Sequence, residues 1–177
     1  MRKLSLKQLI IALMVLAMVI FMGVSVSIAQ EATKISGKIT AAYTDQKKVE
    51  VGDVEGHDIS FSTSEGKNAS IGDNLFMDGA QVINYSMGDL IKGNGRQHGY
   101  IKLTQESDGV ICKWEHGVVT TFSAEGAPSI TFEGTFSYIK GMGKFAGIKG
   151  EGTFKGTFIS QTEYAVEWQA EYFLKGE

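Results

Sequence analysis

The chain has 177 residues, with 17 Lys and Arg against 20 Asp and Glu, a formal charge of −3 and 43% hydrophobic residues. Basic and acidic residues are interspersed with no charged block, so the phosphate neutralisation that nucleic-acid binding requires is missing and no nucleic-acid partner is expected. Its 22 glycines, single proline and single cysteine exclude a proline-rich linker and an intramolecular disulfide framework, so the fold must rest on its core.

The first element is a leader. Arg2, Lys3 and Lys7 precede an uncharged apolar run from Leu9 to Val24, and Ser27 and Ala29 follow as small residues before Gln30. Basic, apolar, small is the order of a secretory signal peptide, and the run is short for a membrane span of about 20 residues. Cleavage near Ala29-Gln30 is expected, which implies an extracytoplasmic protein (periplasmic or secreted) with no stable membrane anchor. About 150 residues would remain, enough for one domain, 30–177.

The rest alternates with a period of two, the mark of strands with one buried face. Ile35, Gly37, Ile39, Ala41 and Tyr43 form the first such set, and Ile59, Phe61 and Thr63 the second. Between them Asp53, Glu55, His57 and Asp58 cluster around Gly56 in a polar turn. The segment from Ser62 to Asp73, rich in Ser, Gly and Asn, reads as a long exposed loop. Asn68-Ala69-Ser70 and Asn84-Tyr85-Ser86 match the glycosylation pattern. Gln81–Met87, Gly99–Gln105 and Val110–His116 are further strands, with Ser107-Asp108-Gly109 as the turn between the last two. Arg96, the only arginine after the leader, lies in a glycine-rich stretch read as a flexible loop. The sets Ile130 to Tyr138, Gly152 to Phe158 and Tyr164 to Leu174 complete roughly eight strands. Evenly spaced antiparallel strands in this length predict an all-β, closed, roughly eight-stranded antiparallel β-barrel, which removes exposed edges. Gly134, Gly152 and Gly156 fall on apolar faces, as expected where a wall bends sharply or a large ring packs opposite.

Candidate chemistry is sparse. Cys112 shares a strand face with Val110 and Trp114 and is expected to be a buried, inert thiol. Cys112 and His116 stand about 13 Å apart at 3.3 Å per strand residue, too far to chelate together, so no metal or other cofactor is expected. His57 has the parity of Ile59 and Phe61, which predicts a place at the mouth of the lumen; beside carboxylates it is a candidate general base. Arg96 is a candidate for holding a carboxylate head group. The aromatic set includes Tyr43, Phe61, Tyr100, Trp114, Phe136, Tyr138 and Trp168 as candidate ligand-binding residues. An eight-stranded barrel is either filled by its side chains or holds one small ligand, and these rings serve either.

Thr131-Phe132-Glu133-Gly134-Thr135-Phe136 recurs as Thr153-Phe154-Lys155-Gly156-Thr157-Phe158. Between the two copies, Gly141-Met142-Gly143-Lys144-Phe145-Ala146-Gly147-Ile148-Lys149-Gly150 resembles the G-x-G-x-F-x-G-x-x-G stretch of plant allene oxide cyclases and dirigent proteins, and Tyr172-Phe173-Leu174-Lys175-Gly176 is similar to the cyclases' last strand. The resemblance covers Ser129–Gly176, about a third of the chain, and points to an exported bacterial branch of that calycin-like barrel family. It implies an eight-stranded barrel with an apolar lumen, and a trimer or another homo-oligomer. In the cyclases that lumen holds a fatty-acid-derived epoxide; in dirigent proteins a pocket orients phenolic radicals. Val49-Glu50-Val51-Gly52 is similar to the cyclases' early-strand glutamate context, which makes Glu50 the matching acid. Alternation places Glu50 outward if Val49 and Val51 point in.

Three functions remain, in order of preference: a module holding a small apolar or amphipathic molecule in its lumen; a solid structural or protein-interaction barrel; and an isomerase or cyclase using Glu50, His57 or tyrosines.

Overall fold

The computed structural model describes residues 31–122 and 128–175. The leader expectation for residues 1–29 lies outside the described residues. Eight strands run in order: β1 (Thr33–Glu50), β2 (His57–Ile71), β3 (Gln81–Ile91), β4 (Asn94–Gln105), β5 (Asp108–Phe122), β6 (Pro128–Met142), β7 (Ile148–Phe158) and β8 (Glu163–Leu174). Each pairs antiparallel with the next, and β8 returns to β1 to close the barrel. The all-β, eight-stranded closed antiparallel barrel expected from the alternation is therefore the fold.

Two departures concern β2 and β4. The segment expected to be a loop from Ser62 is strand as far as Ile71, paired on both sides with β1 and β3. Its inward positions are Ser64, Gly66 and Asn68, so a search for apolar alternation passes over it. The stretch around Arg96 is strand too, because Lys92 and Gly93, with φ of 51° and 76°, make the two-residue left-handed turn that a hairpin needs. Likewise the β4–β5 turn is Glu106-Ser107, one step earlier than expected, and Asp108 and Gly109 already pair in β5. Asp108 accepts hydrogen bonds from the Lys144 backbone N–H and pairs with the Lys144 ammonium, which holds its carboxyl below the usual range.

Strand length alone does not say how the rings fit. At four glycines an added Cβ would strike the ring opposite in the ladder: Gly37 by Trp168, Gly99 by Trp114, Gly152 by Phe136 and Gly156 by Phe132. A Cβ at Gly156 would stand 2.2 Å from the Phe132 ring, and one at Gly152 would stand 2.5 Å from the Phe136 ring. Each ring lies flat over a strand that has no side chain there, so glycine sets how far the ring intrudes into the lumen.

One end of the barrel is packed solid. The β2–β3 connection folds inward, and Phe76, Met77 and Ala80 are buried there. Phe76 meets the rings of Phe145, Tyr172, Tyr138 and Trp168 at centroid distances of 4.9, 5.3, 5.8 and 6.1 Å. Asn68, 1% exposed, holds this plug in place. Its amide nitrogen donates to the carbonyls of Phe76 (3.0 Å) and Met77 (2.9 Å), and its oxygen accepts from Trp168 Nε1–H at 2.9 Å. The large majority of buried polar groups in folded proteins are paired, and here one amide pairs three of them.

Candidate functional site: a lumen open at one end

Above the plug the lumen is not filled. A cavity of about 330 Å³ remains, at the small end of the range for ligand pockets. Its lining runs out to the exposed residues Lys48, Gly93 and Gln161, so it opens at the end opposite Phe76.

The two walls differ. On β5 to β8, Trp114, His116, Phe132, Phe154 and Phe158 present a nearly continuous aromatic surface. His116 lies between Trp114 and Phe132, each 4.9 Å away by ring centroid and tilted by 31° and 36°. On β1 to β4 the lining carries the polar groups Gln46, Lys48, Ser60, Ser62, Ser86 and Gln97, interspersed with the apolar Ile39, Leu90, Ile101 and Leu103. Ser62 and Ser86 share a hydrogen bond of 2.5 Å. Between the walls runs a polar belt. Ser64 and the Tyr164 hydroxyl bond at 2.6 Å, Asn84 donates to both at 3.4 Å, and Trp114 Nε1–H donates to Asn84 Oδ1 at 2.8 Å.

A bulge turns the β1 part of this wall inward. β1 slips register between Tyr43 and Asp45, and this exchanges the faces of everything after it. Before the bulge Ile39, Ala41 and Tyr43 point inward. After it Gln46 and Lys48 share the inward register of Ser62 and Ser60. The even-numbered residues of β2 face the lumen, which reverses the expectation drawn from Ile59 and Phe61. Those two sit on the outer register, level with Asp89 and Met87.

The expected site residues divide accordingly. Tyr43, Trp114, Phe136, Tyr138 and Trp168 line the lumen. Phe61 also borders the cavity, at its rim, although it lies on the outer register and is 47% exposed. Tyr100 is 44% exposed and alternates with the inward Gly99 and Ile101, so it faces outward. Arg96 follows the same alternation, outward beside Asp89 in the ladder, and does not reach the cavity. Val49, expected inward, is 59% exposed because of the bulge, and Glu50 ends β1 in an exposed position, paired with Asp58. His57 is not at the lumen mouth. Its ring bridges Asp53 (2.5 Å) and Asp89 (2.8 Å) on the outer face, tying the β1–β2 connection to β3. Glu50 and His57 therefore do not meet in the lumen as a catalytic pair.

Sequence reasoning missed Lys48, Ser60, Ser62, Ser86, Gln97 and His116. The signal was present as Ser60-x-Ser62-x-Ser64-x-Gly66-x-Asn68, an alternation of small and polar residues. Neither glycosylation match presents a free amide, since Asn68 and Asn84 turn inward and spend their side chains on the bonds above. Cys112 is buried, and burial pushes its thiol far up from its ordinary value.

Electrostatics define what the lumen groups do. Burial, with Tyr164 nearby, pushes the Tyr43 hydroxyl up to about 12, and burial raises Tyr138 and Tyr164 as well. These hydroxyls stay protonated near neutral pH. Burial pushes His116 down to about 4, so its imidazole is neutral. Its Nε2 bonds Gln97 Oε1 at 2.8 Å, while Nδ1 is buried with no hydrogen-bond partner. With Gln97 presenting its oxygen, Nε2 carries the proton and Nδ1 keeps a free lone pair.

The two bonded histidines should therefore titrate at opposite ends of the scale. Hydrogen bonds from Asp89 and then Asp53 raise His57 above its ordinary value. A proton-resolved NMR titration is expected to give His57 a midpoint above 6.5 and His116 one near 4. By linkage, the His57 contribution to stability is complete below about pH 6.5 and is lost as pH rises through its folded value. The His116 contribution has the opposite sign: between about pH 6.5 and 4 the unfolded chain takes up a proton that the folded one does not, so acid destabilises. A His57 midpoint at or below the ordinary value would contradict the bridge to Asp53 and Asp89.

No family model matches the sequence, and no curated protein matches it.

Proposed function

We propose that this protein holds one small amphipathic molecule in the open half of its barrel. The observation that carries the reading is the cavity of about 330 Å³ between an aromatic wall and a hydroxyl and amide wall, in a barrel whose other half is packed solid. Apolar lining with a few convergent polar groups is the usual form of a small-molecule site. The aromatic wall supplies apolar contact and ring edges, and the serines, Gln97 and His116 Nδ1 supply hydrogen bonds that fix orientation. The basic, apolar, small order of residues 1–29 supports a role outside the cytoplasm. The Gly141–Gly150 stretch and the strand number support a place among the barrels of the allene oxide cyclase and dirigent type.

Native mass spectrometry of protein purified without denaturation tests the reading. A reproducible adduct of small-molecule mass, released on unfolding and absent from a Ser62→Phe variant that fills the cavity, is the expected result. The folded wild-type protein with a bare mass, taking up none of a panel of aromatic and fatty acids, would overturn it. The same spectrum reports whether the chain assembles into the dimer or trimer that the family resemblance implies.

A further inference from the structure

We propose that the open lumen selects a negatively charged aromatic molecule, with the anionic group drawn to Lys48 and the ring system laid against the Trp114–Phe132–Phe154–Phe158 wall. The inference rests on the lumen being a binding site, and adds the charge and shape of the occupant.

Three observations carry it. The first is charge. The chain has more acidic than basic residues, yet the charged residues lining the cavity are Lys47 and Lys48, with no carboxylate in the lining among the described residues. The second is aim. The β1 bulge puts Lys48 on the lumen register opposite Ser60; without that one-residue slip the position would face solvent. Lys48 enters no ion pair among the described residues, whereas Lys34, Lys92, Lys144 and Lys155 each do. Glu50 and Asp58, one ladder step further out, leave it free. Next to it Ser60 Oγ and Gln97 Nε2 converge over Gly88, where a Cβ would come within 2.5 and 2.9 Å of them. Hydroxyl, amide and ammonium donors thus gather at one side of the opening, an arrangement suited to an anion.

The third is the shape of the opposite wall. Phe132 meets Phe154 at 6.5 Å and Phe158 at 6.0 Å, and Trp114 meets Phe154 at 6.3 Å, all edge to face. A flat ring entering the cavity extends this set with the same geometry. A bare alkyl chain would instead lie along serines and Gln97 and leave them without partners.

The test compares two fluorescent probes with the same rings: anilinonaphthalene sulfonate, which is anionic, and N-phenylnaphthylamine, which is neutral. The wild-type protein is expected to bind the sulfonate roughly tenfold more tightly, the effect of one charge-assisted contact in a partly wet site, with the preference shrinking as salt is added. Lys48→Gln should remove most of the preference by weakening the sulfonate, and Lys47→Gln with Lys48→Gln should abolish what is left. Ser62→Phe should lose both probes. Equal affinities in the wild type, or a preference undiminished by Lys48→Gln, would overturn the assignment of the anionic group to Lys48 while leaving the lumen site standing. Failure of both probes to bind, or binding of both that survives Ser62→Phe, would overturn the lumen reading itself.

Discussion

Asn68→Ala is expected to be the most damaging single substitution in the barrel, costing about 4 kcal/mol of stability. The side chain pairs three buried groups, the carbonyls of Phe76 and Met77 and the indole N–H of Trp168. Each group left unpaired in a dry environment costs about 1–3 kcal/mol. The methyl group of alanine offers nothing in exchange, and the space it leaves sits beneath the Phe76 plug. The loop that closes the barrel would keep only the backbone bonds of Asn68 with Gly79 and Ala80 and the bonds of Ser70 with Phe76 N–H and Asp78 as ties to β2. Urea unfolding followed by tryptophan emission measures the loss and also reports Trp168 directly. A loss below about 1 kcal/mol would mean that ring packing around Phe76, and not the amide, holds the plug. Asn84→Ala makes an internal comparison. Two of its three contacts are 3.4 Å long, so it should cost clearly less.

Gly156→Ala is expected to cost about 2 kcal/mol and to reduce ligand uptake together with stability. The added Cβ would lie 2.2 Å from the Phe132 ring and 3.0 Å from the Ala165 carbonyl oxygen. Relief requires the ring to move by about an ångström, and the open cavity is the only slack beside it, because His116, Phe154, Phe158 and Tyr164 pack around it. A double-mutant cycle isolates the cause. In Gly156→Ala with Phe132→Leu the smaller, non-planar side chain should accept the Cβ, so the two costs should fall short of additive by about 1 kcal/mol. Strict additivity would place the damage in the β7 backbone and not in the ring above it.

How far such effects could be foreseen from sequence depends on the wall concerned. Strands β6, β7 and β8 were fully legible, because their inward residues are aromatic and aliphatic and their outward ones are Thr, Glu and Lys. The glycines among them read correctly as places where a ring packs opposite, and Gly152 and Gly156 lie under Phe136 and Phe132. Strand β2 was legible as a strand only in its first part, and its faces were inverted. The reading assumed that apolar means inward. In a barrel with an amphipathic lumen that rule fails on the polar wall, where Ser60, Ser62, Ser64 and Asn68 point in and Phe61 points out. Strand β3 shows the same thing, with Asn84 and Ser86 inside and Tyr85 and Met87 outside. The bulge at Tyr43 and Asp45 leaves no mark in the alternation, so the inward turn of Lys48 was invisible, and with it the charge of the site. His57 was correctly tied to nearby carboxylates in the case of Asp53, but Asp89 comes from a different hairpin and is brought in only by the β2–β3 ladder.

The barrel has two unlike ends, one packed and one receptive, and although both indole rings border the cavity, their N–H groups are held at different places. Trp114 Nε1–H donates to Asn84 in the polar belt, and Trp168 Nε1–H donates to Asn68, whose amide also holds the plug. A two-dimensional proton–nitrogen spectrum recorded while titrating anilinonaphthalene sulfonate tests this most directly. The Trp114 indole signal is expected to move saturably, and the Trp168 N–H signal, tied to Asn68 under Phe76, to move clearly less. Two stationary signals at saturating probe, or a Trp168 shift as large as that of Trp114, would contradict it.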